Sequence, residues 1–243
     1  ESDSVVLGNV SLQYFLLDDA MLYARYAQGH KGQAFDLTVG FDGSAVEPET
    51  SDSFEIGFKS MLLDNRLQLN ATAFYTEYED FQAQSLILDE NGAPKSTLNN
   101  VGVLETQGVE LEAVALIGDN FTLNFNLAYI DAIITDYDGA TCYAGQTEET
   151  GCINRAQDLA GGELPNSPEW KWNLVADYRL DLTSMPFYGF MNFSYVWQDQ
   201  VQFRLDNNPL KVLDSYGVAD INFGINDRDD DRYRVTLFVN NVT

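Results

Sequence analysis

Apolar and polar residues alternate along this chain with a period of two, in segment after segment. Between Asn120 and Ile130, Phe121, Leu123, Phe125, Leu127 and Tyr129 take one set of positions, and Thr122, Asn124, Asn126 and Ala128 take the other. Successive side chains of an extended strand point to opposite faces, so this spacing predicts a strand with one apolar and one polar face. Val109, Leu111, Ala113 and Ala115 stand in the same way against Glu110 and Glu112. Trp170, Trp172, Leu174, Ala176, Tyr178 and Leu180 oppose Lys171, Asn173, Asp177 and Arg179, and Ala219, Ile221, Phe223 and Ile225 oppose Asp220 and Asn222. Tyr233, Val235, Leu237 and Val239 oppose Arg234, Thr236 and Asn240. Such runs predict about ten strands, near 10–16, 20–28, 52–62, 66–81, 103–117, 120–134, 169–181, 187–200, 215–226 and 232–241. No segment reads as a helix. Many runs exceed the usual five or six residues, and several reach the roughly 9 to 11 needed to cross a bilayer at a tilt.

The connections alternate in size. Short turns are expected at Leu17–Ala20, Leu63–Asn65, Gly118–Asp119, Asp181–Pro186 and Asp227–Asp231, with long loops at about 29–51, 82–102, 135–168 and 201–214 between them. An up-and-down transmembrane barrel has this asymmetry, with short turns on the periplasmic side and long loops outside the cell; a β-sandwich has no need of it. The first strand then runs inward and the tenth outward. Aromatics gather near strand ends: Tyr14 and Phe15, Tyr23 and Tyr26, Tyr75 and Tyr78, Tyr129, Trp170 and Trp172, Tyr195 and Trp197, Tyr216 and Tyr233. Such rings settle at headgroup level and read as girdles. On this reading lipid meets Phe121, Leu123, Phe125, Leu127, Tyr129, Trp170, Trp172, Ile221, Phe223, Val235 and Leu237. The lumen receives Glu110, Glu112, Asn124, Asn126, Lys171, Asn173, Arg179, Asp220 and Asn222.

Composition narrows the picture. The 243 residues are 45% hydrophobic and 13% aromatic, too apolar for a disordered chain. The net charge of -25 repels nucleic acid, which is set aside as a partner. The longest apolar runs, such as Ala113–Ile117, fall far short of a membrane-spanning helix, which leaves a barrel as the way to cross a bilayer. Glu1–Ser4 carries no initiating Met and no signal-peptide pattern, so the chain is expected to start inside a longer protein. Cys142 and Cys152 are close together in a Gly-, Thr- and Glu-rich segment, and a disulfide in an oxidising compartment is the expected pairing. The one histidine, His30, is far from both in sequence, which argues against zinc.

Candidate chemistry is sparse. GxSxG, HExxH, P-loop and CxxC patterns are missing, so no catalytic residue, metal site or cofactor is expected. Glu110 and Glu112 share one strand face and read as lumen-facing side chains, not as an acid–base pair. Asp227–Asp231 lacks the Gly and final Glu of a calcium loop and reads as a solvated turn. Lys59, Lys171, Arg179 and Arg234 are expected in a lumenal salt-bridge network. Cargo contacts are expected from the loops at 29–51, 82–102 and 135–168, because a ligand arriving from outside meets them first.

Several strings then carry a family resemblance. They are Tyr23–Gly32; Glu47-Pro48-Glu49-Thr50 followed by Phe54-Glu55-Ile56-Gly57-Phe58-Lys59; Arg66-Leu67 through Ala73-Phe74-Tyr75; and Tyr78–Gln82. Asn100-Val101-Gly102 with Gly108-Val109-Glu110-Leu111-Glu112, Leu164–Pro168 and Leu237–Thr243 continue them. Across nearly its whole length the chain resembles the C-terminal barrel region of TonB-dependent receptors, His30 replacing the usual aromatic of a Gly-Tyr/Phe-Lys loop. The resemblance implies a single partial domain, about ten strands of a 22-stranded barrel, with the plug, the first barrel strands and the closing strand outside the chain. It further implies active uptake of a small-molecule cargo such as a metal chelate, most commonly an iron–siderophore complex. The energy would come through TonB from the inner-membrane proton gradient, and the outer-membrane lipid would be the other partner. A passive porin-like channel shares every periodicity argument and is the alternative; a secreted β-sandwich adhesin and an outer-membrane enzyme are more distant ones.

Overall fold

The computed structural model describes residues 4–35, 45–88, 94–228 and 232–242. Ten long strands form one sheet: β1 (Asn9–Leu17), β2 (Ala20–Lys31), β3 (Glu49–Leu62), β4 (Leu67–Glu79) and β5 (Val103–Ile117), then β6 (Phe121–Asp136), β7 (Trp170–Asp181), β8 (Phe187–Gln198), β9 (Tyr216–Asp227) and β10 (Arg234–Val239). Each pairs antiparallel with its neighbours in sequence, an up-and-down meander with β1 and β10 at its edges. All ten expected strands are present, with ends displaced by a few residues. Short turns lie at one end of the sheet and long connections at the other, here the upper end.

The long connections are not plain loops. β2 continues to Lys31 and β3 starts at Glu49, so the first is shorter than 29–51, and Ala34–Phe35 pairs with Ala45–Val46 inside it. The second holds a hairpin, Gln82–Leu88 against Pro94–Asn100. The third pairs Ala140–Thr141 with Ala156–Gln157, and the fourth pairs Val201–Gln202 with Val212–Leu213. One-turn 3-10 helices occur at Glu148–Thr150 and Pro209–Lys211. Parts of the expected connections, 36–44, 89–93 and Asp229–Asp231, lie outside the described residues.

Register makes the faces continuous across strands. Tyr14, Leu22, Phe58, Ala71, Leu111, Leu127, Trp172 and Trp197 line up strand by strand from β1 to β8. On the opposite face Lys59, Asn70, Glu112, Asn126 and Asn173 do the same. A register slip of one residue would exchange the two faces, so the alternation itself fixes the pairing.

No second layer covers the apolar face among the described residues. Ile56, Val235 and Leu237 are each 60% exposed, and Phe223 is 46% exposed. A continuous apolar face of this extent is what a water-soluble protein avoids and a bilayer accepts. The buried core lies elsewhere, at the upper end, where Val101, Leu104, Ile134, Ala140, Leu159 and Leu205 cluster.

Candidate functional site

The polar face is a hydrogen-bonded ladder. Asn70 donates to Glu112 at 2.9 Å, Asn126 to Asn173 at 3.0 Å, Asn192 to Asp177 at 2.8 Å, and Asn222 to Asn192 at 3.3 Å. Tyr23 donates to Glu55 and lies 3.1 Å from the Thr72 hydroxyl. Register explains these pairs: each joins residues directly opposite or diagonal on adjacent strands, except Tyr23 and Thr72, which meet across Gly57 of the strand between them. Glu110, Glu112, Lys171 and Asn173 line one hollow of about 430 Å³ together with Tyr23 and Lys59. Asn124 sits on the same face, opposite Val114 and Val175. Asp220 accepts the backbone N–H of Asn241 at 2.9 Å, fastening the segment after β10.

Three of the four cations expected in a lumenal salt-bridge network, Lys59, Arg179 and Arg234, lie over rings, and Lys171 lines the hollow. Lys59 Nζ lies 5.5 Å from the Tyr23 ring centre, Arg179 4.3 Å from Tyr188, and Arg234 4.4 Å from Phe190. Arg179 also pairs with Asp181 at 3.2 Å on its own strand. The reason is placement: Tyr188 lies diagonally across from Arg179, opposite Asp181, while Glu112 already receives Asn70. A cation over an aromatic face retains an attraction without a second buried charge.

The apolar face carries Phe121, Leu123, Phe125, Leu127 and Tyr129 beside Trp170, Trp172, Ile221, Phe223, Val235 and Leu237, with cross-strand partners on the same side. Aromatic rings pack along its upper part, Tyr129 on Trp170 at 4.6 Å and Trp172 on Tyr195 at 5.1 Å between centres. One step further up, the face turns polar: Tyr26 donates to Asp52, Tyr75 to Glu77 at 3.2 Å, and Gln107 to Asp131 at 3.0 Å. Phenols reaching from an apolar band to a row of carboxylates mark a boundary between hydrocarbon and water.

Above that boundary the pattern inverts, a feature that reading the strands one by one misses. Tyr78, Leu104 and Ile134 form one cross-strand row on the formerly polar side, where Leu104 is 1% and Ile134 0% exposed. The signal is present in β6: Ile130, Ala132 and Ile134 occupy even positions, while the lower apolar residues occupy odd ones. The upper connections therefore fold over the inner side of the sheet and bury this row.

That folding leaves a cavity of about 410 Å³, lined by Phe81, Gln82, Tyr137, Leu159, Phe203 and Arg204 among others. Its size is that of small-molecule pockets, and its mixture of rings and a few polar groups is typical of them. Burial pushes the Tyr137 phenol up from its ordinary pKa, and a hydrogen bond with Ser85 offsets part of this. Arg204 pairs with Asp206 at 3.6 Å beside the cavity. Of the three connections expected to meet cargo, 82–102 and 135–168 line it and the described residues of 29–51 do not; 201–214, read only as a long loop, lines it too, through Phe203, Arg204, Leu205 and Asp206. Cys142 and Cys152 are joined, with Cα atoms 5.7 Å apart, and hold the tip of the third connection.

Comparison with known proteins places this geometry. The family described as TonB dependent receptor-like, beta-barrel matches residues 1–242. The chain is similar to the pesticin receptor of Yersinia pestis, with 37% identity over 114 residues, 46% of this chain and 16% of that protein. It is similar to the probable TonB-dependent siderophore receptor PiuA of Acinetobacter baumannii, with 28% identity over 59% of this chain and 17% of that protein. Among solved structures, the ferric yersiniabactin uptake receptor FyuA from Yersinia pestis superposes with a TM-score of 0.73 at 22% identity, covering 97% of this chain and 32% of that one. PiuA from Acinetobacter baumannii gives a TM-score of 0.69 at 23% identity, with 96% and 31% covered. These two likenesses bear on fold, and the chain spans about a third of the length of either solved receptor. With a ten-stranded antiparallel sheet of two opposite faces and a family match over residues 1–242, the chain belongs to the TonB-dependent receptor β-barrel family of the bacterial outer membrane.

Proposed function

We propose that this chain is part of the wall and mouth of an active outer-membrane transporter that captures a scarce nutrient, an iron–siderophore complex, and imports it with energy delivered through TonB from the inner-membrane proton gradient. The observation that carries the reading is the inversion of the two faces. Lower down, an apolar side meets lipid and a hydrogen-bonded polar side meets the lumen. At the upper end the inner side becomes apolar and holds a cavity of about 410 Å³ between connections. The names of the relatives, a pesticin receptor and siderophore receptors, support the cargo class. In this role the protein binds and moves its cargo without making or breaking bonds in it.

The test uses the full-length receptor in iron-starved cells. Uptake of a radioactive ferric siderophore should require both the receptor and TonB, and should stop when the proton gradient is dissipated. Deletion of residues 140–155, which removes core residue Ala140 and the disulfide, should weaken cargo binding. Uptake that persists without TonB would favour a passive channel instead.

A further inference from the structure

The upper connections are tied to one another in series. The first and second meet at Gln82, which is 5% exposed and donates from Nε2 to the carbonyl oxygens of Gly32 at 3.0 Å and Glu47 at 2.9 Å. Asn100 adds a reciprocal pair, donating to the Glu47 carbonyl at 3.0 Å and accepting the Glu47 N–H at 2.8 Å. The second and third share apolar packing, with Val101, Ala140 and Leu159 buried together and Phe81, Ala83 and Tyr137 against them. The third and fourth meet at Gln157, 6% exposed, which donates to the carbonyl oxygens of Thr141 at 3.0 Å and Asp206 at 3.2 Å. Asn166 N–H donates to the Gln202 carbonyl at 2.8 Å, and Leu205 completes the shared apolar cluster.

We infer that the four upper connections form one cooperative cap, opening and closing as a unit instead of loop by loop. Proteins open locally in contiguous cooperative units, and the members of a unit are those whose buried contacts depend on one another. Here a residue lost from the third connection removes packing from the second and fourth. Buried amide donors add to this, since a backbone carbonyl stripped of its partner while still buried is costly. The functional consequence rests on the reading of the cavity as a cargo seat: cargo touching three connections at once would close the whole cap, and its release would need the whole cap to open.

Hydrogen exchange of the full-length receptor, without cargo, reads this directly. Leu159→Ala removes apolar packing, and Gln157→Leu removes hydrogen bonds while keeping the apolar cluster. Each should raise exchange at least ten-fold in 32–35, 45–48, 82–88, 94–100 and 201–213 as well as in 137–165, while 109–115 and 121–129 stay as in the parent. A rise that leaves any of the other three connections as in the parent, in both variants, would overturn the inference. Should Leu159→Ala fail to insert, the Gln157→Leu pattern decides by itself. Because no cargo is present, failure here leaves the transport reading standing, and loss of siderophore uptake with intact coupling would count against that reading only.

Discussion

An arginine placed at two adjacent positions of β6 should have opposite consequences. Phe125 is the middle residue of the apolar run Phe121–Tyr129 and packs against Trp172 at 6.3 Å between ring centres. Asn126, one residue on, faces Glu112 and Asn173 across the register. Arginine at the mid-depth of a lipid-facing strand costs about 2–4 kcal/mol, which lowers the folded-to-unfolded ratio by roughly 30- to 900-fold. Phe125→Arg should lose at least that much. Asn126→Arg turns its cation toward water and the Glu112 carboxylate, where an exposed pair changes stability by about 0–1 kcal/mol. Guanidinium titration of the full-length receptor in phospholipid vesicles, followed by tryptophan fluorescence, gives both midpoints. Equal midpoints, or a lower one for Asn126→Arg, would refute the assignment of faces.

Other outcomes follow from the upper end. Gly102 has φ +45, and a Cβ there would collide with the Asp136 carbonyl oxygen, so Gly102→Ala should destabilise the β5–β6 junction by about 1–3 kcal/mol, measured as a lower thermal midpoint. Cys142→Ser opens a disulfide spanning ten residues and should cost the third connection about 2–3 kcal/mol, seen as faster proteolysis within 137–169 with the strands untouched. The raised pKa of Tyr137 means the folded cap holds the phenol's proton more tightly than the unfolded chain does. Its contribution is complete below about pH 10 and is lost as pH climbs through the folded value, so ultraviolet titration of Tyr137→Phe should lack a late tyrosinate step.

Much of the wall is legible in the sequence because each strand carries its own signal. The odd positions of Phe121–Tyr129 and the even positions of Trp170–Leu180 announce a face without reference to any distant residue, and short turns such as Gly118–Asp119 punctuate them. What escapes is long-range. Gln82 and Gln157 look like any solvent-exposed glutamine until Gly32, Glu47 and Asp206 are brought to them from other connections. The hairpin Gln82–Leu88 with Pro94–Asn100 is hidden because Gln82, Gln84 and Lys95, Asn99 and Asn100 break any apolar period. Ring contacts of Lys59, Arg179 and Arg234 depend on which rings the register brings near them, diagonally or across a neighbouring strand, not on charge count.

The most direct measurement is accessibility along β6. Single nitroxide labels at each position from 121 to 129 of the full-length receptor, in a bilayer, can be relaxed either by oxygen, which concentrates in lipid, or by a water-soluble nickel chelate. Oxygen maxima are expected at 121, 123, 125, 127 and 129 and nickel maxima at 122, 124, 126 and 128. Accessibility without that two-residue alternation, or with the two reagents exchanged, would contradict the assignment of faces.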